Sequence, residues 1–178
     1  MAAVGSERIR PGGTLGSVTK GDVFKVVLFL HVLGAVVALG FSLSYGLWLS
    51  RGDAAGGERR AFALHTISWI DRRLTTPAYV LQAITGVSLV LLTDVDRFRD
   101  PWLELSIGIC VLLTVLAIVR YAPAHRRQTA LADALATGEG DAATYADASA
   151  IARRWGFVVA ALTLIILFLM VWKPALWS

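Results

Sequence analysis

Charge is what this chain has least of. Asp, Glu, Lys and Arg make up 17% of its 178 residues, against about 25% in an ordinary soluble domain. Residues of the AVILMFWYC set make up 56%, with 16 glycines besides, where the soluble norm including glycine is about 45–50%. One domain of this length has too little interior to hide that much apolar surface, which excludes a free cytosolic enzyme. The same excess excludes disorder, because disordered chains are poor in apolar residues. Cysteine is nearly absent. Cys110 stands alone, so no disulfide can form within the chain and the redox compartment cannot be read from it. Catalytic and binding motifs are lacking as well: there is no phosphate-binding Gly loop, no zinc-ligand spacing and no nucleophile motif. Cys110 and Met170 sit in different apolar runs and make poor copper ligands. No internal repeat of the kind found in inverted-repeat transporters is present.

What the chain has instead is long uncharged runs. A helix needs about 20 apolar residues to cross the hydrocarbon core of a membrane. Val26–Leu49 is free of formal charge over 24 residues, Pro77–Thr93 over 17, Leu105–Val119 over 15 and Trp155–Trp172 over 18. Charges bound each run, and Trp102 and Glu104 extend the third into the headgroup zone. The expected fold is all-α: a membrane-embedded four-helix bundle with spans of about 24–49, 75–94, 102–121 and 154–173. Residues 1–22 form a polar tail, expected to be flexible, and 23–178 a single transmembrane domain. The first run is too long for a signal-peptide core and follows a polar segment, so a cleaved signal is not expected.

The net charge of +4 would suggest a nucleic-acid partner if the basic residues formed a patch on a folded surface. They flank the apolar runs instead, so the expected partner is the lipid bilayer, and the charge becomes a topology signal. The two long connections carry ten of the 17 Lys and Arg: Arg51, Arg59, Arg60, Arg72, Arg73, Arg120, Arg126, Arg127, Arg153 and Arg154. The other side carries seven: Arg8, Arg10, Lys20, Lys25, Arg97, Arg99 and Lys173. The short loop also holds Asp94, Asp96 and Asp100. This places the long connections in the cytoplasm and both termini outside, although the basic tail pulls the other way. Trp48, Trp69 and Trp155 fall on one side, and Trp102, Trp172 and Trp177 on the other, as two aromatic belts would.

The long connections read as helical. Glu58–Arg73 sets Phe62, Leu64, Ile67 and Ile70 among arginines, a pattern expected of a helix lying in the membrane interface. Thr76-Pro77 reads as N-cap and first residue of the second span, or else Pro77 kinks a continuous helix. Leu131 and Leu135 mark a helix over 123–137 that stops at Gly138-Glu139-Gly140. Asp141 then caps the last helix, so a polar helical hairpin joins the last two spans.

A few residues inside the spans are ones lipid does not favour. Gly34, Ala38, Ser42 and Gly46 recur every fourth residue, a spacing that lets helices approach closely. Ser106, Cys110 and Thr114, and Gly156, Ala160 and Thr163, make similar stripes. The hydroxyls are expected to bond their own helix backbones. Gln82 is the harder case, because a buried amide needs partners; it either bridges helices or touches a ligand. His31 lies about 8 Å into its run at 1.5 Å per residue. A neutral imidazole there is either a structural hydrogen-bonding group or a ligand, and haem iron is the natural candidate metal. Glu104 opens the third helix, where the helix dipole favours a carboxylate; the alternative is an ion or proton site at the outer mouth. His65 and His125 are expected to be solvated.

Three segments carry a resemblance: Lys25–Ala35, with its Leu30-His31-Val32-Leu33-Gly34 core; Thr76-Pro77 through Thr85-Gly86; and Phe168–Pro174, with its closing Met170-Val171-Trp172-Lys173-Pro174. Over about residues 22–174 the chain resembles a bacterial family of predicted integral membrane proteins of unknown function, domain-of-unknown-function serial 2269. That resemblance implies a four-helix membrane fold and no established activity. More loosely, His31 and the segment Ile70-Asp71-Arg72-Arg73-Leu74 with Pro77-Ala78 and Gly86 are similar to the bacterial membrane protoporphyrinogen oxidase family. This likeness implies haem ligation by His31. That family's intramembrane Lys is missing, because Ser106 stands where it is expected. Copper-resistance membrane proteins of the D type share the His-then-Gly opening.

One His and one Glu are too few for a self-contained catalytic site. The leading expectation is therefore an accessory or structural component of a membrane complex in the bacterial cytoplasmic membrane, assembled with other subunits or as a homo-oligomer. The alternatives are a haem b or porphyrin-handling redox protein using His31, with Gln82 as a polar partner, and a small ion or metal transporter using Glu104, Gln82 and His31.

Overall fold

The computed structural model describes residues 19–93 and 101–174. The N-terminal tail through residue 18, the acidic short loop and Trp177 lie outside the described residues. The helices are α1 (Lys20–Ala55), α2 (Gly57–Ile70), α3 (Thr76–Leu92), α4 (Pro101–Leu116), α5 (Ala122–Ala136) and α6 (Ala142–Trp172). The described residues contain no strand. Five-residue π-turns, Asp71–Thr75 and Ala117–Tyr121, join α2 to α3 and α4 to α5. The chain is thus four long helices, Lys20–Ala55, Gly57–Leu92, Pro101–Ala136 and Ala142–Trp172, each long and apolar enough to cross a membrane. The expected all-α, four-helix membrane fold is what the structure shows.

The first helix starts at Lys20, six residues before its uncharged run at Val26, because Thr19 and Asp22 form a capping box. The Asp22 N–H donates to Thr19 Oγ1 at 3.3 Å and the Thr19 N–H donates to the Asp22 carboxylate at 3.1 Å, satisfying two orphan donors reciprocally. The end of the segment assigned to the polar tail is therefore helical.

The two prolines inside the long helices, Pro77 and Pro123, sit two residues beyond a π-turn. The Thr76 N–H reaches back to the Asp71 carbonyl and the Ala122 N–H to the Ala117 carbonyl, five residues each. Pro77 and Pro123 follow directly. Proline has no N–H to donate, and its ring crowds the carbonyl four residues earlier. A wider turn relieves that crowding without ending the helix. Thr76-Pro77 is therefore not a helix start; the helix runs through it.

This continuity corrects the reading of Glu58–Arg73. The segment does not lie in the interface plane as a separate element. As α2 it continues the axis of the second span, burying Ala61, Ala63, Leu64 and Ile67 and packing on α1 and α5. Of the residues expected to face the membrane, Phe62 is exposed while Leu64 and Ile67 are buried. Half of the buried side is alanine, Ala61 and Ala63, which the large-residue pattern does not include.

Helix length explains the architecture. A 36-residue helix is about 54 Å long at 1.5 Å per residue, about 24 Å more than a hydrocarbon core of about 30 Å. The surplus collects at one end, where the arginines of the long connections lie. There α1, α2, α5 and α6 close into a ring, each packed on the next. Leu64, Ala132 and Tyr145 form the core of this lobe, with Leu49, Leu131 and Leu135 against them. Asp53 ties the ring together. Its carboxylate accepts from Tyr145 Oη at 2.6 Å and lies 3.3 Å from the Arg60 guanidinium and 3.4 Å from that of Arg153. Gln128, fully buried, donates to Ser149 Oγ at 3.1 Å. Gly56, at φ +66°, makes the reversal between α1 and α2 in a region that side chains rarely adopt.

The polar hairpin of α5 and α6 is present as expected. Gly138 turns with φ +81°, and the Asp141 carboxylate accepts from the Thr144 N–H at 2.8 Å as N-cap. Beyond the lobe, α3 packs on α1 and α4 packs on α6. Among the described residues α3 and α4 do not pack on each other. Lys173 Nζ lies 5.4 Å from the Trp102 ring, which puts both at the end opposite the lobe, as the two-belt pattern requires.

Candidate functional site

The α1–α3 contact is built on small residues. A Cβ on Gly34 would sit 3.3 Å from the Ala78 carbonyl, and one on Gly86 would sit 3.2 Å from His31 Cε1. These glycines let α3 come close enough to receive the imidazole of His31. Its Nδ1 is 3.1 Å from the Gln82 carbonyl oxygen and 3.0 Å from Thr85 Oγ1. The carbonyl can only accept, so Nδ1 carries the proton and Nε2 keeps its lone pair. Thr85 Oγ1 in turn donates to the Leu81 carbonyl at 2.7 Å.

The sequence singled out His31 and Gln82, and the structure brings both to this contact. Gln82 meets His31 through its main-chain carbonyl rather than its amide. Thr85 and Gly86 complete the arrangement, and they are found by their one-turn spacing from Gln82. Glu104 is elsewhere. It is exposed in the first turn of α4, and α4 packs on α6 rather than on α1 or α3. The three residues of the ion-handling reading do not converge.

A second polar layer lies where the membrane part meets the lobe. Tyr45 Oη and Thr75 Oγ1, both buried, are 2.7 Å apart. Ser42 Oγ and Tyr79 Oη are 3.4 Å apart. Tyr121 packs against Gly156, stacks on His125 with ring centroids 5.8 Å apart, and shares one electrostatic environment with Asp71, Tyr45 and Tyr79. His125 Nε2 lies 3.0 Å from Ser68 Oγ. Asp71 and Thr75 belong to one π-turn and Tyr121 to the other, so both wide turns deliver side chains to this layer. The layer offers phenol, hydroxyl, imidazole and carboxyl groups able to exchange protons, and it fastens the two helix pairs beneath the ring.

The expectation for His125 is corrected here. It is half-buried between Tyr121 and Ser68 rather than solvated. His65 is exposed as expected and pairs with Asp133 at 2.9 Å. In the sequence Tyr79 counts among the polar residues of the second span, whereas Tyr45 and Tyr121 draw no notice beside the tryptophans. The available signal was position: Tyr45, Tyr79 and Tyr121 each fall within a few residues of the charged end of an apolar run.

Most span hydroxyls bond their own helices as expected. Ser106 donates to the Trp102 carbonyl at 2.7 Å, Thr114 to Cys110 at 2.8 Å and Thr163 to Val159 at 2.8 Å. Among the described residues no three His, Cys, Asp or Glu side chains gather as a metal site.

No curated protein and no solved structure matches the chain. A family match does exist, over residues 25–174, to predicted integral membrane proteins designated DUF2269. It covers all four long helices except the first five residues of α1. On that match, the chain belongs to the DUF2269 family of predicted integral membrane proteins.

Proposed function

We propose that the protein is an accessory component of a membrane assembly, completed within the bilayer by other membrane subunits or by further copies of itself. Its unused glycines support this reading. Gly34, Gly86 and Gly156 each face a neighbour within the chain, whereas Gly40, Gly46 and Gly108 have no heavy atom within 4 Å of a built Cβ. Glycine in a helix costs about 1 kcal/mol relative to alanine, and in membranes it serves close approach of another helix. Gly40 shares an outward face of α1 with Val36, Leu43 and Leu47, all exposed. Purification in mild detergent from the native membrane should yield stoichiometric companion subunits or a defined oligomer by native mass spectrometry. A bare monomer under those conditions overturns the proposal. The excess of Lys and Arg at the lobe end supports a cytoplasmic lobe and outward termini in a bacterial cytoplasmic membrane. A Glu139→Cys variant should react with an impermeant maleimide after lysis and not before.

A second reading rests on His31. Its Nδ1–H is given to a main-chain carbonyl, the arrangement that orients an imidazole and leaves Nε2 for a metal. A haem b iron would be held there, and the group would supply one-electron chemistry. Protein from haem-replete cells should show a Soret band that His31→Ala removes; colourless protein excludes this reading.

A further inference from the structure

Beside the tyrosine layer, on the outer surface between α5 and α6, lies a hollow of about 260 Å³. Its lining is graded along the two helices. Val119, Pro123 and Arg127 descend one side at i, i+4 and i+8, and Ala148, Ile151 and Trp155 form the other, with Arg120 and Ala124 between them. α5 runs away from the membrane and α6 towards it, so Val119 and Trp155 share the membrane end and Arg127 and Ala148 the lobe end. Arg120 is the first charge after the apolar run Leu105–Val119. The hollow therefore straddles the depth of the lipid headgroups.

Two further features bear on what would occupy it. The lining holds two arginines and no carboxylate. Neither arginine has an ion-pair partner among the described residues, whereas Arg60 and Arg153 in the same lobe are paired with Asp53. A snorkelling arginine extends its head into water, yet the Arg120 guanidinium lies 5.7 Å from the Trp155 ring, turned across the hollow. Small residues, Ala124 and Ala148, give the hollow its depth.

We propose that this hollow is a binding site for an anionic phospholipid of the leaflet on the lobe side. Arg120 and Arg127 take the phosphate-bearing headgroup, and Val119, Ile151 and Trp155 carry the first part of the acyl chains. The volume suits a headgroup rather than a whole lipid. Basic hollows between membrane helices recognise anionic headgroups in this way, and guanidinium suits phosphate better than a point charge does.

Native mass spectrometry of the full chain in detergent, titrated with phosphatidylglycerol, tests this. One tightly retained lipid is expected, with phosphatidylcholine at the same concentration retained far less. The double variant Arg120→Gln/Arg127→Gln should weaken retention about thirtyfold. The control pair Arg126→Gln/Arg154→Gln removes the same charge from the same helices outside the hollow and should change retention less than about twofold. Ala124→Met keeps both arginines and fills the hollow, so it should also displace the lipid. Equal loss in the control pair, unchanged retention in both the double variant and Ala124→Met, or full displacement by soluble glycerol 3-phosphate at lipid concentrations would overturn the site.

Discussion

Tyr45 and Thr75 show how much can rest on one bond. Both side chains are buried, and each hydroxyl is the other's partner at 2.7 Å. Tyr45→Phe leaves the Thr75 hydroxyl without that partner and should cost about 1–2 kcal/mol, as a buried unpaired polar group does. Thr75→Val leaves the phenol with the Asp71 carboxyl as its side-chain partner. The double variant does not strand the Thr75 hydroxyl, so it should be more stable than the sum of the two losses implies. Thermal unfolding in detergent of all four proteins closes the cycle, and strict additivity would show that the bond contributes nothing.

Asp141 carries a pH dependence whose sign is fixed by its cap. The Thr144 hydroxyl, the Thr144 N–H and the Ala143 N–H hold its carboxyl below the usual carboxylate range. A group whose folded value is depressed contributes stability above its unfolded value, near 3.9, and loses it as pH falls through the lowered folded value. Asp141→Ala should therefore lower the melting temperature at pH 7, and the gap to the parent protein should narrow towards pH 3. A gap that is the same at both values would mean that the carboxylate charge is not what caps α6. At this scale His31 was legible because an imidazole has no place in an apolar run without a partner. His125 was not, because its burial comes from Tyr121 and Ser68, which are distant from each other in sequence.

Two elements are set by where backbones come close. A Cβ at Gly52 would fall 2.8 Å from Ala63 Cβ and 3.5 Å from Arg60 Cα, so α1 and α2 cross there with nothing between them. Gly52→Ala must push the helices apart and should cost about 1–3 kcal/mol, read as a lower melting temperature with helix content retained by circular dichroism. No loss would mean that the α1–α2 crossing is loose. The existence of the elements was legible in the sequence, since charge-free length alone marks a span. The α5–α6 hairpin was legible too, through Gly138 and the Asp141 cap. The course of α2 was not. Arginines around Phe62, Leu64, Ile67 and Ile70 fit an interfacial helix as well as an upright one. The choice is made by the π-turn at Asp71–Thr75, which carries the helix past Pro77 and leaves no signature beyond the proline itself.

The whole molecule is closed at one end and open at the other. The lobe is a complete ring, whereas within the membrane α3 and α4 each have one helical neighbour. If the open glycines seat further helices, Gly40→Leu and Gly108→Leu should break the assembly while sparing the subunit, because nothing within the chain lies in their way. Size-exclusion profiles should shift to the monomer, and the subunit's melting temperature should stay within about 2 °C of the parent's, since an exposed substitution costs a few tenths of a kcal/mol. Intact assemblies in both variants would sink the reading. The sequence could show the number of helices but not this asymmetry. Which helix packs on which depends on contacts between runs that each look uniformly apolar.

The four helices also pass from lobe to membrane without a break in the chain's hydrogen-bonded rods. Each pair, α1 with the α2–α3 helix and α6 with the α4–α5 helix, is therefore a stiff unit, and the tyrosine layer joins the two through Ser68 and His125. A shift of one unit against the other within the lobe would be carried across about 30 Å of hydrocarbon core to the far face, where α3 and α4 do not pack on each other.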